Sequence, residues 1–416
     1  MTLRFRLPTV VKGLWIIAAV AGATVGAPDF AEAQPLPRGQ ILTDDLQSRS
    51  VTLQSLSAGG IVYFDAAGEL KRESTRRLLR VKFDSAATRE QSTSIAADDA
   101  PADANTLQPI PADDLGMLLL VDGQRLRGRW VGASEDGQSV RWRHDLLGEV
   151  EMPIEQIVAF DLHQTLMDDG RRVRDRIQLA NGDVVEGLLE SVTDVAMIIR
   201  PAGARSSLTL PMERVGRVLL ANPVAPALAL PVLVLRDGSR LIGQDIGVLD
   251  RQANLIEPRL SLTSPDIPLA MVQRIDMAQA AVRLVELTDL PMTVIEGGDV
   301  LGLPMAPIQQ AGQLQFHAPV HMQWTLPDGA VRVRLVVALD LPEQGSLSSR
   351  GWADVTLELQ SDGRLLDESH LYDAQPEATF VADVRGLNVS LNVGVGANGP
   401  ILDRLRFAQA LVLIAP

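Results

Sequence analysis

One pattern constrains this chain more than any other: the middle third repeats itself. LLLVDGQRLRGRW from Leu118 is matched by IQLANGDVVEGLL from Ile177 and by LVLRDGSRLIGQD from Leu233. In each copy a turn glycine (Gly123, Gly182, Gly238) is followed five residues later by another (Gly128, Gly187, Gly243). A proline comes 29 or 30 residues after the first glycine, at Pro153, Pro211 and Pro268, and opens a short run ending in aliphatic residues. Three landmarks kept through three copies mark one supersecondary unit used repeatedly.

The chemistry of the unit is that of a short antiparallel sheet. Asp-Gly or Asn-Gly between alternating apolar runs is a hairpin signal, here read as a type I′ turn. The second glycine falls inside a strand, where it marks a bulge or a sharp bend. A period of 56 to 59 residues then holds about five strands. We therefore expect small curled β-barrels at residues 115–165, 173–222 and 228–278. A weaker relative, VTLQSLSAGGIVYFDAAGEL from Val51, lacks the paired glycines and reads as a short β segment over residues 34–84. Between it and the first clear copy, residues 85–114 are rich in Ala, Asp, Ser and Pro and read as a disordered acidic linker.

Composition narrows the partners. The 416 residues include 52 acidic and 38 basic side chains, a net charge of -14, which opposes nonspecific binding to nucleic acid. There is no cysteine, so neither disulfides nor thiolate metal sites enter. Residues 1–33 read as a secretory signal: Arg4, Arg6 and Lys12 precede a charge-free apolar stretch at 13–27, and Ala31-Glu32-Ala33 supplies the small-x-small cleavage pattern. The expected destination is the periplasm, cell envelope or exterior. No later segment is long and apolar enough for a transmembrane helix.

The repeated hairpin resembles the opening strands of Sm and SH3-like small barrels. RNA binding, which the Sm resemblance would imply, is opposed by export and by the acidic balance. A spacer or protein-docking role is the plainer expectation for the copies.

From about Ala280 the repeat landmarks stop and strand patterning becomes denser. Residues 330–339 alternate and then turn continuously apolar, and 355–359, 379–384, 389–395 and 407–414 have the same character. Asp328-Gly329 and Asp362-Gly363 lie between runs. Many short strands without a long helical pattern indicate an antiparallel sandwich over 280–416. Three passages, QFHAPVHMQWTLPDGAVRVRLVVALD from Gln315, WADVTLELQSDGRLLDES from Trp352 and ATFVADVRGLNVSLNVGVGANGPILDRLRFAQALVLI from Ala378, resemble NPCBM, the novel putative carbohydrate-binding module. That resemblance implies a galactose-binding-domain-like β-sandwich that binds a glycan or glycoconjugate. The chain departs from the family pattern at Ala338-Leu339-Asp340, where a turn Gly is common, and at residues 402–407, where the family carries an acidic, Trp-containing stretch.

Sugar sites combine an aromatic plate with a few hydrogen-bonding groups. Trp352, after the loop-like Ser348-Ser349-Arg350-Gly351, and Trp324, within a strand pattern, are the candidate plates; the ordinary alternative for each is the core. His317 occupies the family's His-Ala position and either meets a sugar hydroxyl or closes a strand end. Asp340 and Asp403 occupy its acidic turn positions, where they accept sugar hydroxyls, help to hold a structural calcium, or cap their own turns. No cofactor is otherwise implied. His-Glu-x-x-His, Gly-x-Ser-x-Gly and phosphate-loop motifs are all missing, so the expectation is a non-catalytic protein. The favoured reading is an exported, all-β glycan-binding protein: tandem small β-barrels followed by a galactose-binding-domain-like sandwich. The alternative is a cell-envelope scaffold with protein partners and a degenerate sugar site.

Overall fold

The computed structural model describes residues 36–84, 115–162, 173–225, 229–260, 266–279, 282–297, 299–300, 303–310, 313–340, 353–397 and 403–415. The expected export signal, the expected linker and Trp352 lie outside the described residues. What is described is almost entirely antiparallel strand, as the sequence pattern indicates.

The repeated unit occurs four times, not three. The first copy, residues 34–84 in the sequence reading, is a complete five-stranded unit: Arg38–Thr43, Ser48–Ser57, Gly60–Phe64, Leu70–Glu73 and Leu78–Phe83. The second runs from Gly116–Leu120 to Ile157–Asp161, the third from Asp175–Leu179 to Val215–Leu219, and the fourth from Val232–Leu235 to Val272–Asp276. In each, the strands pair in the order 5-1-2-3-4. A single 3-10 turn carries the chain from strand four to strand five.

The first hairpin of each unit corrects the expected turn type. Only the third loop residue is left-handed: φ is +86° at Gly123, +90° at Gly182 and +93° at Gly238. The Gly N–H donates to the carbonyl three residues back, at 3.0, 2.9 and 3.1 Å. This is a three-residue loop closed by a left-handed residue, not a two-residue I′ turn. In the first unit the same position is Leu46, φ +58°, whose N–H donates to Thr43 O at 2.8 Å. A leucine there costs about 1 kcal/mol of backbone strain. The second glycines sit where strand two leaves strand one for strand three; a Cβ on Gly128 would lie 2.2 Å from the Arg143 carbonyl oxygen.

The units associate in pairs through their fifth strands. Leu78–Phe83 of the first pairs with Val272–Asp276 of the fourth, in register Arg80↔Asp276, Val81↔Ile275, Lys82↔Arg274. Ile157–Asp161 of the second pairs with Val215–Leu219 of the third, in register Ala159↔Leu219, Phe160↔Val218, Asp161↔Arg217. Both ladders centre on the fourth residue of the strand, so they are the same pseudo-two-fold contact made twice. Each includes a cross-strand Arg–Asp bond, Arg80 Nε to Asp276 Oδ1 at 2.5 Å and Arg217 Nε to Asp161 Oδ2 at 3.1 Å. A single apolar core runs through all four units.

The C-terminal region is a two-sheet sandwich. One sheet contains, in order, Ile308–Gln310, Gln313–His317, Arg404–Ile414, Ala330–Leu339 and Glu377–Asp383, with Arg283–Glu286 also on Arg404–Ile414. The other has the order Met292–Gly297, Val320–Thr325, Asn388–Val395, Asp354–Ser361, Arg364–Tyr372. Asp362-Gly363 forms a two-residue I′ turn between paired strands, with φ of +46° and +78°. Trp324 and Phe316 pack on Phe407 between the sheets, with ring centroids 5.8 and 5.3 Å away.

The sandwich is docked on the first unit. Inward residues of Arg404–Ile414 (Ala410, Val412, Ile414) join the sandwich core. The alternate residues Leu411 and Leu413 face outward and pack with Leu42, Leu46 and Leu79. Arg334 Nη1 donates to the Leu46 carbonyl at 3.0 Å. Arg80 Nη1 reaches Glu286 Oε1 at 2.8 Å, so one buried arginine joins the first unit, the fourth and the sandwich. Burial works against the Asp276 carboxyl ionising, but the Arg80 and Arg274 guanidiniums hold it below the ordinary carboxylate value.

Candidate functional site

The docking contacts occupy one end of the six-stranded sheet. Along Ala330–Leu339, Arg334 meets the first unit, and Asp340 lies six residues further on, about 20 Å away. At that far end the fold gathers three of the five residues singled out in the sequence. His317 closes its strand in register with Arg404. The Asp340 N–H donates to the Arg404 carbonyl at 2.8 Å, and its carboxylate lies 3.5 Å from Arg404 Nε and 4.0 Å from Arg406 Nε. Asp403 precedes Arg404, and its carbonyl accepts from the Ala318 N–H at 3.2 Å.

These groups differ in what they offer. Burial, and next the Arg404 charge, hold the His317 imidazole below its ordinary value against the pull of Asp340, so it is neutral near pH 7. A neutral ring offers one donor and one acceptor. Asp340 and its arginines are solvent-accessible planar groups suited to paired hydroxyls. Asp403 is wholly buried. Its Oδ1 accepts from the Asp354 N–H at 3.3 Å, and its Oδ2 has no partner among the described residues. Burial pushes this carboxyl up to about 6, with the Asp354 charge adding to the rise against that one hydrogen bond. Asp403 thus supports the site from inside and does not present itself to a ligand.

The two tryptophans do not contribute a plate among the described residues. Trp324 is 1% exposed against Phe407, in the core. Trp352 is outside the described residues. The aromatic surface is supplied instead by residues not singled out in the sequence. Tyr372, 42% exposed, stands beside His370 on the edge strand, ring centroids 5.5 Å apart and tilted by 40°. His370 Nε2 bonds the carboxylate of Asp354, which also accepts from the Ala397 N–H at 2.7 Å. Those contacts, His370 first, hold Asp354 below the usual carboxylate value, so it is ionised and fixed. Gly396 is required here, because a Cβ would fall 2.1 Å from Asp354 Cγ. The signal in the sequence was the spacing His370-Leu371-Tyr372 after the Asp362-Gly363 turn, which puts both rings on the polar face of a strand.

Among the described residues no three His, Asp or Glu side chains gather to hold a metal, so the calcium considered for Asp340 and Asp403 has no ligand set there. Two clefts lie elsewhere, at equivalent places in the two unit pairs. One of about 450 Å³ includes Gln138, Ile154, Leu188 and Asn222; the other, of about 560 Å³, includes Pro37, Leu53, Leu249 and Arg251. No described helix is long and apolar enough to cross a membrane.

No protein-family model matches the chain, and no curated protein matches it. The NPCBM resemblance therefore has no family model behind it. Among solved structures, the chain is similar to the CBM51-2 and INT domains of Clostridium perfringens ZmpB, at 16% identity and a TM-score of 0.26. That match covers 42% of this chain and 37% of the other, so the chain spans little more than a third of that structure. It is also similar to the CBM51 of Clostridium perfringens GH95, solved in complex with methyl-galactose. There the identity is 14% and the TM-score 0.24, over 31% of this chain and 99% of that one. The tandem CBM51 modules of Sp3GH98, from Streptococcus pneumoniae, give 14% identity and a TM-score of 0.26 over 72% of this chain and 88% of that one. Likenesses this distant assign no ligand.

Proposed function

We propose that the chain is an exported, non-catalytic binding protein whose sandwich takes a carbohydrate at the end remote from the four units. The observation that carries this reading is the Tyr372–His370 aromatic pair, exposed next to the fixed, ionised Asp354. An aromatic face flanked by a carboxylate, with arginines and a neutral imidazole at the same end of the sandwich, has the makings of a pyranose site. The NPCBM-like order of motifs in the sequence supports the same ligand class. In this reading the four units are a mount: the sandwich is fixed to them through Leu46, Leu411, Leu413 and Arg80, and its other end is left free.

A glycan array with the full chain, alongside Tyr372→Ala and His370→Ala, tests the proposal. Saccharide binding by the parent that falls about tenfold or more in Tyr372→Ala is the expected result. No saccharide bound, or binding indifferent to both substitutions, overturns it. A second reading, an envelope scaffold with protein partners, is favoured by the paired clefts between units. Envelope proteins that remain bound when saccharide is added in excess would support the scaffold instead.

A further inference from the structure

The outer face of the five-stranded sheet carries a polar row that the end site does not use. Successive registers connect Glu296↔His321, His321↔Asn392, Asn392↔Glu358 and Glu358↔Glu368, one side chain from each strand. Their neighbours along the strands, among them Met322, Leu391 and Leu357, are in the core, so strand alternation turns this row outward. Five strands at about 4.8 Å spacing make it about 19 Å long.

Two features of the row stay unresolved within the protein. Glu358 stands directly opposite Glu368, a like-charge cross-strand pair of the kind that destabilises a sheet. Glu358 Oε2 accepts from the amides of Gln360 and Asn392, both at 3.2 Å, which adds hydrogen bonds but no positive charge. Apart from histidines, the only basic residue on these five strands is Arg364, at the opposite end of the edge strand beside Ser361. His321 Nε2 is buried in the same row and has no hydrogen-bond partner among the described residues. Glu296 and Glu368 are exposed. The row also continues into the proposed sugar site, because His370 and Tyr372 lie two and four residues beyond Glu368 on the same strand.

We propose that this row binds a linear oligosaccharide bearing protonated amino groups, laid across the strands and continuous with the Tyr372–His370 surface. The inference deepens the carbohydrate reading and rests on it. An ammonium group between Glu358 and Glu368 removes their repulsion, and ring hydroxyls add hydrogen bonds to these carboxylates and to the neighbouring Asn392. A polyol with spaced cations fits a flat row of carboxylate, amide and imidazole groups better than a peptide, which would need apolar anchors on this face. The acidic net charge of -14 favours the approach of such a ligand, and salt weakens the attraction.

The test uses the full chain, β-linked glucosamine oligomers with free amines, their N-acetylated counterparts of equal length, and oligolysine, measured calorimetrically at low and high salt. Expected is binding of the free-amine oligomer about tenfold tighter than the acetylated one, weakened by salt and lost in Glu358→Gln/Glu368→Gln. That double variant should melt at or above the parent temperature, because it removes a like-charge pair, so lost binding cannot be read as lost folding. Equal affinity for the two oligomers overturns the amino-sugar inference but leaves the carbohydrate reading standing. No binding of the free-amine oligomer, or oligolysine binding as tightly per charge, also overturns it. Only a glycan array with no hit at all removes both.

Discussion

The two sheets of the sandwich share one core, yet their outer faces have gone separate ways. Outside the six-stranded sheet, Leu411 and Leu413 meet Leu42, Leu46 and Leu79 of the first unit, with Arg334 closing on the Leu46 carbonyl. Outside the five-stranded sheet, the equivalent outward positions carry His321, Gln323, Asn392, Thr356, Glu358 and His370. One face is a structural joint and the other is chemistry open to solvent. Placing a sandwich on a mount by one face leaves the opposite face and one strand end as the surface on which a ligand can be recognised.

The largest effects should come from breaking the joint. Arg80→Ala leaves Asp276 and Glu286 with only the less buried Arg274 as a shared cation, at a cost of about 3 kcal/mol. Urea unfolding should show that loss, whereas Thr356→Ala on the open face should stay within about 0.5 kcal/mol of the parent. Leu46→Gly sharpens the same contrast. It relieves a left-handed leucine but removes a side chain buried against Leu411 and Leu413, for a net loss of about 1–2 kcal/mol by the same measurement.

Of similar size is a pH effect at the free end. The Asp403 carboxyl, near 6 in the folded protein against 3.8 when unperturbed, holds its proton more tightly when folded. Its ionisation therefore costs stability that is absent below about pH 4 and fully present above about pH 6. Asp403→Asn should remove that cost. The stability difference between variant and parent should grow in the variant's favour by about 1–3 kcal/mol from pH 4 to pH 8, followed by denaturant unfolding. A difference that does not change with pH would contradict the assignment. Tyr372→Ala, like Thr356→Ala, should change stability by no more than about 0.5 kcal/mol, because its ring is exposed and outside the core.

Much of the scaffold was legible in the sequence because it is written in backbone chemistry. Gly123, Gly182 and Gly238 announce three hairpins, and Asp362-Gly363 a fourth within the sandwich. The first unit escaped the same reading because Leu46 occupies the glycine position. That substitution makes sense only with Leu411 and Leu413 in view, some 365 residues along the chain. The site was half legible. His317 and Asp340 converge because strand ends meet in register, whereas the burial of Asp403 and Trp324 depends on which face of a strand looks inward. Tyr372, His370 and Asp354 could not be linked before the register Asp354↔Tyr372 was known, since nothing local ties residues on neighbouring strands.

The most direct measurement is amide hydrogen exchange on the full chain with and without a bound saccharide. Slowed exchange should concentrate in Asp354–Ser361, Arg364–Tyr372 and the backbone at Gly396 and Ala397, with the four units unchanged. Protection centred instead on the clefts around Ile154 and Leu249, with the sandwich unaltered, would contradict the claim that the free face of the sandwich is the binding surface.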